Sequence, residues 1–188
     1  MAIVVSDTGS GDYERPETGL QQAVCSHVVD LGLQDTSFGV KKQVAVCFEL
    51  AQNMSDGRPF MQSKIYTASL NEKANLRKDL EAWRGRRFTE SELAGFDIEK
   101  LKGVGCLLNL IETAKNEEVY VNIGTIAKLP SGYPKLEPVD QPVPEWLKKK
   151  AEAGKALEKA QDGVRNMSEP PPHTDADMPV DDDSELPF

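Results

Sequence analysis

Alternation of apolar and polar residues runs through the first part of the chain and predicts three β-strands. Residues 42–50 show it most clearly, because the side chains of every second residue are apolar and fall on one face. Residues 20–31 mix β-branched and polar residues as a first strand does, and residues 60–70 form the third. The Ser55-Asp56-Gly57 turn joins antiparallel neighbours. An antiparallel meander is therefore predicted.

The apolar period changes after Asn71 and indicates a helical insertion. Apolar residues recur at i, i+4 and i+7 as one stripe of a helix, namely Leu76, Leu80 and Trp83. Asn71 is the predicted N-cap of this helix, and Gly85 its predicted end. A T-x-x-E sequence at residues 89–92 then predicts the capping box of a second, short helix.

Two more strands follow the insertion, at residues 104–113 and 118–129. The resulting order is three strands, a helix and two strands, which is the order of the OB-fold. We therefore expect an all-β domain with an inserted helix. It would be a five-stranded Greek-key barrel whose helix lies between the third and fourth strands.

The distribution of proline and charge divides the chain into four regions. Five prolines in residues 130–144 predict that the folded domain ends there, and glycines interrupt the helix-forming sequence that follows. The predicted regions are a flexible N-terminal arm (1–18), an OB-fold domain (19–133), a proline-rich linker with a marginal helix (134–167), and a disordered acidic tail (168–188).

Composition excludes several classes of function. The chain has 31 acidic and 22 basic residues, but seven of the acids and none of the bases lie in residues 168–188, so the remainder is almost balanced. Its three cysteines are widely spaced and lie in apolar runs, and there are only two histidines, so we expect no metal and no cofactor. Neither a membrane span nor an export signal is evident, which favours the cytoplasm. The common catalytic motifs are missing, so no enzymatic activity is expected.

A basic stretch at residues 73–87 is the main candidate for function in the domain. It holds six basic residues against Asp79 and Glu81, and its plainer interpretation is a solvated helix face. Single-stranded nucleic acid binds to grooves that combine positive charge with aromatic faces. Tyr66 and Tyr120 are the predicted stacking residues because their strand faces are the more polar ones. The complete predicted set for binding single-stranded DNA is Lys42, Lys64, Tyr66, Arg77, Lys78, Arg84, Arg86, Arg87, Tyr120 and Asn122.

The last eight residues place an apolar end behind a run of carboxylates. A charge run is usually a solubilising tail, but such a tail has no reason to finish on Leu and Phe. Pro187 disfavours helix and keeps the segment extended. The predicted protein-interaction tip consists of Asp181, Asp182, Asp183, Glu185, Leu186, Pro187 and Phe188.

Two stretches resemble known families. The tail resembles the acidic tip of bacterial single-stranded DNA-binding proteins, which end in Asp residues and Ile-Pro-Phe; here Leu186 replaces Ile and Ser184-Glu185 is inserted. Residues 20–133, with W-R-G-R at 83–86 and G-F-D at 95–97, are similar to bacteriophage single-stranded DNA-binding proteins with an OB-fold.

The resemblance implies a protein that coats single-stranded DNA without sequence preference during phage replication or recombination, in the host cytoplasm. Its tip would recruit a polymerase, helicase, nuclease or recombinase. The sequence also allows a homodimer. Two alternative functions are an OB-fold adaptor that binds no nucleic acid and a recombination mediator that anneals strands.

Overall fold

The computed structural model describes residues 14–168, and the side chains up to residue 164. The predicted arm up to residue 13 and the predicted tip at residues 181–188 lie outside these residues. The elements in chain order are β1 (Gly19–Thr36), β2 (Gly39–Asn53), β3 (Pro59–Thr67), α1 (Asn75–Arg84), α2 (Glu90–Ala94), a 3₁₀ helix (Ile98–Leu101), β4 (Gly105–Lys115), β5 (Glu118–Lys128) and α3 (Glu145–Ser168). The five predicted strands and the helical insertion are confirmed.

The five strands form one antiparallel sheet in the order β3-β2-β1-β4-β5. The central strand β1 pairs with β4 along Gly19–Val24 and with β2 along Ala23–Thr36, and its register shifts twice between these ends. Such bulges bend a strand, so β1 serves two halves of the sheet. Within residues 14–168 no ladder joins the edge strands β3 and β5, so the sheet is open where a closed barrel was predicted.

The main core lies between the concave side of the sheet and the helical insertion. The predicted stripe of α1 (Leu76, Leu80 and Trp83) is buried there. The Trp83 ring packs 5.4 Å from that of Phe48, and its Nε1–H donates a hydrogen bond of 2.9 Å to the Gly105 carbonyl. The indole thus ties α1 to the start of β4.

Local signals located most of the boundaries, with two exceptions. The capping box between Thr89 and Glu92 is present, and Gly85 ends α1 in the left-handed conformation (φ 69°). The predicted N-cap Asn71 is wrong, because its side chain accepts a hydrogen bond from the Lys73 N–H in a turn before the helix, and Ala74 occupies the cap. Strand β1 also continues past residue 31, where the predicted strand ended, and Gly32 forms part of a bulge within it.

The segment predicted as a linker packs against the convex face of β1, β2 and β3. Leu147 and Ala151 of α3 are buried against Leu31, Ala45 and Cys47 in a second core. Before the helix, the N–H groups of residues 139 and 141 donate to the buried Glu49 carboxylate at 2.6 and 3.1 Å. The folded unit therefore extends well beyond the predicted boundary at residue 133.

Candidate nucleic-acid interface

Tyr66 is buried and Lys64 is partly buried, which argues against Tyr66 as a stacking residue. Tyr66 is only 4% exposed, and its hydroxyl donates a 2.8 Å hydrogen bond to Asp79 of α1. The Lys64 ammonium pairs with the same carboxylate oxygen at 2.7 Å and reaches the Gly124 carbonyl of β5 at 3.5 Å. Burial, and then the Asp79 charge, raise the pKa of Tyr66. These side chains bridge β3 to β5 across the open edge, and no base can stack on this tyrosine without displacing them.

Arg84 also has a structural position. Its guanidinium lies 4.5 Å from the centre of the Phe88 ring and 5.4 Å from that of Phe96, and it pairs with Glu92. Arg86 binds the same carboxylate at 2.9 Å. A cation packed against two aromatic rings and paired with a carboxylate is held in place. Arg84 therefore organises the α1–α2 corner, and Arg86 is partly neutralised there.

Glu81, within the basic stretch, and Glu92, in the following helix α2, partly neutralise its charge. The Thr89 backbone hydrogen bond, followed by those from Arg84 and Arg86, lowers the pKa of Glu92 to about 2. Glu81 accepts from Arg77 at 3.1 Å and from the Phe88 N–H at 3.3 Å. The Phe88 N–H, and then Arg77, lower the pKa of Glu81. Both acids stay ionised at neutral pH, so the positive potential of this stretch is weaker than its six basic residues suggest.

Within residues 14–168, exposed cations without an ion pair lie on and after α1 and on the neighbouring strand β5. Lys78, Arg87 and Lys128 make no ion pair among the described residues. Lys128 belongs to β5, and its side chain crosses Gly85 so closely that a Cβ there would lie 2.9 Å from its Cδ. The absence of a side chain at residue 85 thus lets a β5 cation lie beside Arg86 and Arg87.

Tyr120 and Asn122 are exposed on the outer face of β5, as predicted. Tyr120 is 46% exposed and lies opposite Thr113, while Asn122 lies opposite the exposed Ile111. The Tyr120 hydroxyl donates to Glu118, and this hydrogen bond raises the pKa of the tyrosine. The Tyr120 side chain is therefore accessible to solvent, with the Glu118 carboxylate at its hydroxyl.

Phe38 is an exposed aromatic residue that does not belong to the predicted set for binding single-stranded DNA. It occupies the two-residue tip of the β1–β2 hairpin, is 87% exposed, and donates its N–H to the Thr36 hydroxyl at 3.2 Å. Its position between Ser37 and Gly39 could have indicated this exposure, because a side chain at the tip of a hairpin has little surface against which to pack. Lys42 follows on the same hairpin, where Asp30 and Glu158 pair with it at 3.3 and 3.5 Å.

Metal-binding clusters and membrane-spanning helices are both absent from residues 14–168. Within residues 14–168, no group of three or more His, Cys, Asp or Glu side chains converges as metal ligands would. No helix in this range has the length and apolar character needed to cross a membrane. Neither a scan against protein-family models nor a search of curated proteins finds a match to this chain.

Proposed function

We propose that this chain binds single-stranded DNA without sequence preference. The observation that carries the proposal is the pair of exposed aromatic rings on two of its hairpins, Phe38 on β1–β2 and Tyr120 on β4–β5. OB-folds bind oligonucleotides with the loops of these two hairpins and with the face of the second and third strands. Bases of any sequence stack on aromatic rings, which explains binding without sequence preference.

The topology supports an OB-type barrel as the frame for these hairpins. The bent strand β1 is shared by both halves of the sheet, and α1 contacts both edge strands, as expected of a helix inserted between the third and fourth strands. In this proposal Lys64 and Asp79 close the barrel through side chains in place of a β3–β5 ladder. Fold class alone leaves function open, so the exposed rings remain the deciding feature.

Stacking, rather than charge, then supplies most of the affinity. The exposed cations without an ion pair near α1 are few, and Lys42 is shared between two carboxylates. For single strands the slope of log K against log salt is about −0.7 per neutralised phosphate. With three or four phosphates neutralised, we expect a slope of roughly −2 to −3.

Fluorescence anisotropy of labelled oligo-dT, titrated with the full chain at two salt concentrations, tests both statements. Phe38→Ala and Tyr120→Ala should each weaken binding by about 1–3 kcal/mol, the usual contribution of one stacked base. The general magnitude comes from OB-fold proteins of the single-stranded DNA-binding class. Tyr66→Phe is the control, because its ring is buried and only its hydroxyl is removed. Unchanged affinity in both alanine variants would remove the proposed site.

The acidic tip completes the proposed function as a recruitment signal for replication or recombination proteins. A partner with a basic rim and an apolar pocket would take Phe188 and be steered by the Asp run. Calorimetry of a tip peptide with a purified polymerase, helicase, nuclease or recombinase checks this, with Phe188→Ala as the control. Equal binding of the two peptides would exclude a tip-specific contact.

A further inference from the structure

The solvent side of α3 presents an exposed tryptophan beside two lysines. Trp146 is 50% exposed, although an indole gains more from burial than almost any other side chain. Lys149 and Lys150 follow at i+3 and i+4, the spacings that place side chains on one face of a helix. Neither lysine makes an ion pair among the described residues.

One flank of α3 carries no carboxylate. By helical spacing, the flank that begins at Trp146 continues through Ala153, Leu157 and Val164. The acids lie on the other sides of the helix, where Glu145 pairs with Lys148 at 2.8 Å and Glu158 with Lys42 at 3.5 Å. The Trp146 flank therefore combines a planar aromatic surface with two neighbouring lysines that make no ion pair among the described residues.

The position of α3 on the sheet gives this flank a role. Leu147 and Ala151 bury the inner side of α3 against the convex face of β1, β2 and β3. OB-type barrels bind oligonucleotides on the face of the second and third strands. Here α3 covers part of the convex face, so a strand that approaches from this side meets the outer side of the helix.

We infer that Trp146, Lys149 and Lys150 form a second contact for single-stranded DNA. A base stacks on the indole, and the two ammonium groups neutralise neighbouring phosphates. The inference rests on the proposed function, because it extends the path of the same strand from the hairpins onto α3.

A second copy of the chain is the competing occupant. The positions 146, 150, 153, 157, 160 and 164 have the 4-3 spacing of paired helices. Two of these six are alanines and one is Lys150, so the flank offers only three large apolar side chains, whereas a stable specific interface involves roughly 20–30 residues per partner. The charge and the exposed ring favour the nucleic acid.

The intrinsic fluorescence of the full chain tests the inference directly. The chain has two tryptophans, and Trp83 is only 3% exposed. Oligo-dT should quench the emission of Trp146, and the emission that remains in Trp146→Phe should not respond. The double variant Lys149→Glu/Lys150→Glu should bind labelled oligo-dT about tenfold more weakly at low salt and reduce the salt slope by about 1.4. Lys155→Glu/Lys159→Glu is the matched control, with the same charge change on the opposite flank.

The outcomes separate this inference from the proposed function. If oligo-dT binds by anisotropy while the Trp146 emission stays constant, the α3 contact is excluded and the hairpin site stands. If both double variants lose the same affinity, only overall charge matters and the contact is again excluded. If oligo-dT does not bind at all, both proposals fail. If the protein sediments as a dimer without DNA and Trp146 is buried in that dimer, the flank belongs to a second copy of the chain. The inference is then overturned.

Discussion

Replacement of Gly154 by alanine tests whether α3 is part of the folded unit. This glycine lies so close to β1 that an added Cβ would stand 1.8 Å from the Leu31 carbonyl oxygen and 2.4 Å from Gln34 Nε2. Restoring ordinary contact requires α3 to move away by roughly 1.5 Å. Neither β1 nor the helix backbone is a flexible side chain that can turn aside.

The cost follows from the contacts that such a movement disturbs. Overpacking a tight core site costs about 1–3 kcal/mol. Gln34 is buried, and its Nε2–H groups donate to Leu31 at 2.6 Å and to Lys150 at 2.9 Å, so a lost bond adds about 1–3 kcal/mol. The two costs overlap because one shift relieves the clash and lengthens the bonds. We expect Gly154→Ala to lower the free energy of unfolding by about 2–4 kcal/mol.

Gly163→Ala is the matched control on the same helix. A Cβ at residue 163 has no atom within 4 Å, so the substitution adds helix propensity without a clash. It should stabilise the protein by up to about 1 kcal/mol. Urea denaturation followed by circular dichroism measures both variants. If Gly154→Ala unfolds at the same urea concentration as the wild type, α3 does not dock as described.

Substitutions at three further residues have definite expected outcomes. Tyr66→Phe removes the hydrogen bond to Asp79 and should destabilise the protein by about 1.5–3 kcal/mol in urea denaturation. A loss of oligo-dT affinity with no loss of stability would return Tyr66 to the binding site. Glu49→Ala leaves two N–H groups without their carboxylate, so hydrogen exchange should show early opening of residues 134–144, whereas Glu49→Gln keeps one acceptor and should have a smaller effect. Folding lowers the pKa of Glu92 from its usual 4.5, so the ionised side chain stabilises the fold at pH values above 4.5. This contribution is lost as pH falls towards about 2. Glu92→Gln should therefore be less stable than the wild type at neutral pH, and the difference should vanish as pH falls from about 4.5 to about 2; a constant difference would contradict the ion-pair assignment.

Only part of the candidate site followed from the residues. The exposure of Tyr120 was correct because alternation is regular along residues 119–123, where one face of β5 is apolar. Both faces of β3 carry polar and apolar side chains, so the sequence pattern does not show which face is buried. In the fold Asp79 neutralises Lys64 on the face that packs against α1. The opposite face, with Met61 and Ile65, packs against the second core under α3. A partner on another element reversed the assignment.

The sequence by itself determined what depends on neighbouring residues. Strand periods, the Thr89 capping box, the turn at Gly85 and the order of the elements each arise from interactions within a few positions, so they are visible in the chain. Tertiary structure alone decided which strands became edges, how α1 bridges them, and where α3 docks. The docking stripe of α3 consists of Leu147, Ala151 and Gly154 and has little apolar area. It docks because its small residues let the helix backbone approach β1 closely, and this contact exists only once β1 is folded. Ala151 and Gly154 produce no hydrophobic period in the sequence. In the folded protein, however, a larger side chain at residue 154 would clash with β1.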